Sequence, residues 1–147
     1  EKDHDVWVKK NNQTKKFLLF ALQAEFWKAR GNWKEMHVNN CWLGELEHIC
    51  PTGKGRSEYP QVHDKYLNSV GNYTLLLKSV NAELKDKPWV EKRPRYATSD
   101  WARTRQIGEE WDNWSDEAIV KLEKEIFGVS DRTRSTHLTE ALPLLLS

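Results

Sequence analysis

Leu46-Glu47-His48-Ile49-Cys50-Pro51, followed by Gly71-Asn72-Tyr73-Thr74-Leu75-Leu76 and then by Asn81, is the part of the chain on which the fold turns. Both runs are short and apolar, and they predict two strands, Trp42 to Ile49 and Asn72 to Leu77. Leu46 and Ile49 flank an acid–histidine pair on the first, while the second begins at one asparagine and leads to another. An acid beside a histidine, with two carboxamides to follow, is what a compact hydrolytic metal site needs. The candidate residues are therefore Glu47, His48, Asn72 and Asn81.

The order and spacing carry more than any single string. Glu-His-Ile-x-Pro, then Gly-Asn-x-Thr-Leu-Leu, then Asn81 nine residues after Asn72, resembles the ββα-metal finger of HNH nucleases. More narrowly, it resembles the HNH domain at the C-terminus of GmrSD-type restriction enzymes. The likeness extends to an apolar segment before it (Phe17 to Trp27) and, after it, to the run from Asn81 to Lys92, Tyr96, Ser99, Trp114 and Ile119.

The resemblance implies an α+β fold, a mostly helical domain with an embedded HNH ββα-metal finger. It implies a metal-dependent DNA endonuclease that nicks or cleaves double-stranded DNA, the effector of a restriction or antiphage defence system. An NTPase-like sensor domain is then expected on the N-terminal side of the same polypeptide. Two departures stand out: the first ligand is Glu47 where Asp is common, and the third position is Asn81 where many members carry His, leaving the metal preference open.

Phosphodiester cleavage needs an activated water, a cation against the scissile phosphate and a proton for the leaving oxygen. A histidine with a pKa near 6.5 can take a proton from water at neutral pH, and such general-base work contributes roughly 10²- to 10⁴-fold. That is the role expected of His48. Glu47, on the other side of the same strand, and Asn81 would give oxygen ligands to one Mg²⁺ or Mn²⁺ per site. Asn72, the middle Asn of the family pattern, would fix the loop carrying His48 and orient the ring.

Composition bounds the rest. At 147 residues the chain suits one domain with a core of its own. The mean hydropathy of −0.81 and 31% charged residues point to a soluble protein. No apolar run approaches the roughly 18 residues a membrane span needs, and the charged N-terminus is no signal peptide, so a cytoplasmic protein is expected. Residues 1–13 read as a polar arm or linker remnant, and 14–147 as a single nuclease domain cut from a longer chain. Cys41 and Cys50 form no CxxC pair, which leaves a structural zinc knuckle without ligands; burial is the better reading for both.

Thr14 is placed to cap a helix with Phe17, Phe20, Ala21, Ala24 and Trp27 at three- and four-residue steps, ended by Gly31. Residues 32–41 are Asn-rich and irregular; His37 there, like His4 and His137, has no neighbours that suggest a site. The long excursion from 50 to 70 implies a job. Lys54 and Arg56 are its candidate DNA contacts, and His63 reads as structural or surface. A helix is predicted from Ser79 to Asp86, stopped before Pro88, then two more, Asp100 to Asp112 and Ser115 to Phe127, the last with Ser115 as N-cap and Gly128 past its end. Trp27, Trp42, Trp89, Trp111 and Trp114 fall near apolar positions and read as core.

Net charge is only +1, but it is unevenly spread. Lys85, Lys87, Lys92, Arg93, Arg95, Arg103 and Arg105 outnumber Asp86, Glu91 and Asp100 between residues 85 and 105, interleaved with Trp89, Tyr96 and Trp101. Seven acids face two lysines between Glu109 and Glu125. Such polarity can set a positive surface against a phosphate backbone, with Lys85, Lys87, Arg93 and Arg95 as contacts and Trp101 as a base-stacking ring or an arginine clamp. A solvated helix face is the plainer reading. Two further readings of the whole chain stay open: a catalytically silent nucleic-acid-binding module of the same fold, and an interaction domain that docks through its acidic helix.

Overall fold

A computed structural model describes residues 11, 12, 14–16, 19 and 44–132. The expected helix beyond Leu19, the segment with His37, Cys41 and Trp42, and the leucine-rich tail lie outside the described residues. So do His4 and His137.

The two apolar runs form an antiparallel hairpin, β1 (Gly44–His48) with β2 (Tyr73–Leu77), in which Glu47 faces Thr74 and His48 faces Tyr73 across the strands. Because strand side chains alternate, Glu45 and Glu47 share one face and Leu46 and His48 the other. Two strands alone are marginal in water, so the hairpin depends on what covers it. Helix α1 (Lys78–Leu84) follows β2 directly, then α2 (Trp89–Tyr96), α3 (Ala102–Glu110) and α4 (Asp116–Arg132). The Thr74 hydroxyl lies 2.6 Å from that of Thr104 on α3, which donates to the Leu75 carbonyl at 2.9 Å. A polar clasp thus ties α3 to β2, and the result is a small α+β domain.

The core lies among the end of β1, the long excursion and the helices, with Cys50, Tyr59, Trp89, Tyr96 and Ile119 all buried. Trp89 packs on Trp114 with ring centroids 5.3 Å apart, and its indole N–H donates to the Trp111 carbonyl at 3.0 Å. On α4 the inward positions are Ala118, Ile119, Leu122 and Ile126, spaced as one helical stripe with the acids outside.

Residues 50–72 are organised by three one-turn 3₁₀ segments, Arg56–Glu58, Asp64–Tyr66 and Val70–Asn72. Arg56 gathers the first part: its guanidinium donates to the carbonyls of Tyr59 (2.9 Å) and Val62 and pairs with Asp64 at 3.1 Å. His63 joins Asp116 at the start of α4 through its backbone N–H (2.8 Å) and its ring. Gly71 lies so close to α4 that a Cβ there would collide with the Ile119 carbonyl oxygen.

Several boundaries differ from those the sequence suggests. Asn11, not Thr14, caps the first helical turn: its side-chain oxygen accepts from the Thr14 backbone N–H at 2.9 Å. Helix α2 is an addition, in a stretch whose Pro94 and dense charge obscure helical periodicity. It tolerates Pro94 because the carbonyl left without a helical donor belongs to Val90, a residue 77% exposed. Helix α4 runs through Gly128 to Arg132, since one glycine costs only about 1 kcal/mol of propensity.

Candidate active site

The site is built on the end of β1. Beyond His48 the strand does not stop at the ladder: the Ile49 N–H donates to the Asn72 carbonyl at 2.8 Å. The Asn72 side chain, fully buried, completes the junction. Its Oδ1 accepts from the Cys50 N–H (2.9 Å) and the Trp114 indole (3.0 Å), while its Nδ2 donates to the Cys50 (3.0 Å) and Leu67 (2.9 Å) carbonyls. Two donations and two acceptances from one planar group are what a carboxamide supplies and a carboxylate does not. Asn72 therefore locks the segment that carries His48.

The His48 ring lies against Tyr73, its cross-strand partner, with centroids 4.2 Å apart, and its Nε2 is 3.2 Å from Oδ1 of Asn68. Burial holds its pKa below the ordinary histidine value, the Asn68 hydrogen bond opposes that, and the charges of Lys15 and Lys92 push further down. On balance the surroundings favour the neutral ring.

Glu47, on the opposite face, is buried against Lys92 of α2, itself wholly buried. The Lys92 ammonium is 2.7 Å from Glu47 Oε1 and 2.8 Å from the Ile49 carbonyl, with the His48 carbonyl at 3.4 Å. Burial raises the Glu47 pKa; the Lys92 charge and hydrogen bond, and the nearby Tyr96 hydroxyl, work against that rise. Tyr96 affects the ionisation without a well-formed hydrogen bond, for both its hydroxyl and Glu47 Oε2 are buried without a partner of good geometry. Asn81, on α1, donates from its amide nitrogen to Glu45 rather than to Glu47, at 3.0 Å.

A cleft of about 470 Å³ is lined by Glu47, His48, Pro51, Lys54, Asn81 and Lys85, together with Asp86. It brings together the residues the sequence singled out at the end of β1 and on α1, while Asn72 stays behind it. Among the described residues no three His, Cys, Asp or Glu side chains gather in the manner of a zinc or calcium centre. Glu47 and Asn81 nevertheless both line the cleft, and Oε2 of Glu47, a buried oxygen, has no hydrogen-bond partner of good geometry. A carboxylate and a carboxamide are hard oxygen donors of the kind a small divalent cation takes, so the residues fit one by their chemistry.

The basic residues separate into two groups. Lys54 and Lys85 are exposed at the cleft and Lys87 is exposed nearby. Arg56, Arg93 and Arg95 are engaged with partners of the chain itself: Arg56 as above, Arg93 on the Gly108 carbonyl (3.0 Å) and Asp112 (2.6 Å), Arg95 on Glu83 (2.6 Å), this last an exposed pair. Trp101 is 6% exposed and presents little ring to a ligand. Cys50 is buried, which pushes its thiol up to about 11.

Sequence reasoning did not single out Lys92, Asn68 or Glu45. For Glu45 a signal existed, since it lies two residues before Glu47 on a strand and so on the same face. For Lys92 and Asn68 none did, because each meets its partner only through folding.

Comparison with the curated proteins and with the solved structures gives no match to the chain. A family model described as "GmrSD restriction endonucleases, C-terminal domain" matches residues 2–129. With most of its length covered by that match, and with the hairpin, α1 and the cleft all inside it, the chain belongs to the family of C-terminal domains of GmrSD restriction endonucleases.

Proposed function

We propose that the domain is a metal-dependent DNA endonuclease of the HNH type, with the hairpin and α1 as its ββα-metal finger. The observation that carries this reading is His48, favoured in its neutral form at a cleft it shares with Asn81, Lys54 and Lys85. A water proton passes to the His48 ring as the water oxygen bonds to phosphorus; the bond to the leaving sugar oxygen breaks, and that oxygen takes a proton from solvent. Glu47 and Asn81 would hold one Mg²⁺ or Mn²⁺, which supplies charge neutralisation at the phosphate. Lys54, Lys85 and Lys87 bind the DNA backbone outside the reacting centre. Double-stranded DNA as substrate, a restriction or defence role in the cytoplasm and an NTPase-like domain on the same polypeptide are the biological setting that accompanies this proposal.

The Glu47–Lys92 pair favours a second reading, a nucleic-acid-binding module without catalysis, because the carboxylate is already compensated by an internal cation. Supercoiled plasmid incubated with the protein in Mg²⁺ or Mn²⁺, with and without EDTA, separates the two. The nuclease reading expects metal-dependent nicks that His48→Ala abolishes while DNA affinity is retained. DNA retardation without nicking, or nicking undiminished in His48→Ala, refutes it.

A further inference from the structure

A neutral imidazole carries one proton, and which ring nitrogen holds it decides which nitrogen can accept another. We propose that Asn68 is the positioning residue that fixes the tautomer of His48, placing the proton on Nε2 and leaving the lone pair of Nδ1 for the reaction. The inference deepens the reading of His48 as general base and rests on it. Asn68 Oδ1 is 3.2 Å from His48 Nε2, and the Tyr73 hydroxyl donates to the same oxygen at 3.4 Å. Two neighbours converge on one carboxamide oxygen, which accepts and does not donate, so the proton between Asn68 and the ring belongs to Nε2.

The ring has little freedom to escape this geometry. Tyr73 lies against it at 4.2 Å between centroids, and the segment bearing Asn68 is held by Asn72, whose amide donates to the adjacent Leu67 carbonyl at 2.9 Å. One asparagine thus secures the loop and a second, four residues earlier, secures the proton. Asn68 is itself exposed, so changing it disturbs no core packing.

The test reads the ring directly. Nitrogen-15 chemical shifts of the His48 imidazole, assigned by their loss in His48→Gln, are measured at pH 8 for wild type, Asn68→Asp and Asn68→Lys. Wild type and Asn68→Asp, which keeps an acceptor, are expected to show the Nε2–H form. Asn68→Lys offers only donors and is expected to move the proton to Nδ1, with kcat for plasmid nicking falling at least about tenfold and KM nearly unchanged. A wild-type ring protonated at Nδ1, an unchanged spectrum in Asn68→Lys, or a moved proton with undiminished kcat overturns the proposal. Activity that survives His48→Ala would instead remove the general-base reading, while the dependence of the tautomer on Asn68 would stand.

Discussion

Lys92 is the residue whose removal has the clearest expected cost. It is wholly buried, and its ammonium compensates Glu47 while capping the Ile49 carbonyl. Lys92→Met leaves a buried carboxylate without its partner and is expected to lower stability by about 3–5 kcal/mol, as removal of one member of a buried pair does. Glu47→Gln with Lys92→Met removes both charges, and chemical denaturation should find it less destabilised than the sum of the single variants. Simple additivity would mean that the pair contributes no coupling. His48 gives a prediction in pH. Its folded pKa lies below the unfolded value near 6.5, so the folded state binds fewer protons as pH falls through that window. Stability is therefore lost on acidification from above pH 6.5 until the folded pKa is passed, and levels beyond it. Denaturation midpoints between pH 7.5 and 5 should fall less in His48→Gln than in wild type; parallel slopes would contradict the burial of the ring. Comparing the two proteins cancels the opposing contribution of Glu47, whose raised pKa favours the folded state on acidification.

Among the elements, the turn before β2 sits hard against α4. Gly71 stands against the Ile119 carbonyl with no room for a methyl group, and the neighbouring Ser69 hydroxyl donates to Glu123 of the same helix. Gly71→Ala must part the turn from α4 and should cost about 1–3 kcal/mol of stability, the usual range for overpacking. Because Asn72 follows directly, the same substitution should reduce nicking more than the stability loss alone accounts for. Retained stability in thermal unfolding would show that α4 can shift outward. A smaller lesson comes from α2, which exists although Pro94 lies within it. Its burial of Trp89, Lys92 and Tyr96 outweighs an unfavourable local sequence, and the same burial brings Lys92 to Glu47.

At the scale of the whole molecule, the uneven charge resolves into cleft lysines and arginines paired with groups of the chain itself. Binding to DNA should therefore depend on salt through Lys54, Lys85 and Lys87. Replacing any one by Ala is expected to flatten the slope of log affinity against log salt by about 1. Arg95→Ala, which frees Glu83 on α1, should act through stability rather than through that slope. Equal slopes for wild type and the lysine variants would remove the cleft from the DNA surface. No helix among the described residues is long and apolar enough to cross a membrane.

What the sequence determined by itself was local in its physics. Alternation with a period of two put Glu47 and His48 on opposite faces of β1, the apolar stripe of α4 followed from steps of three and four, and the spacing of Asn72 and Asn81 behind the Glu-His pair identified the family. Tertiary structure alone decided which charges find partners within the chain. Arg56, Arg93 and Arg95 carry the same sign as Lys54 and Lys85, yet only folding supplies the carbonyls and carboxylates that occupy the arginines. In the same way Lys92 reaches Glu47 across 45 residues of chain, and Asn68 reaches His48 across 20. Hydrogen bonds and ion pairs act over a few ångströms in space whatever the separation along the chain, so no local pattern announces them.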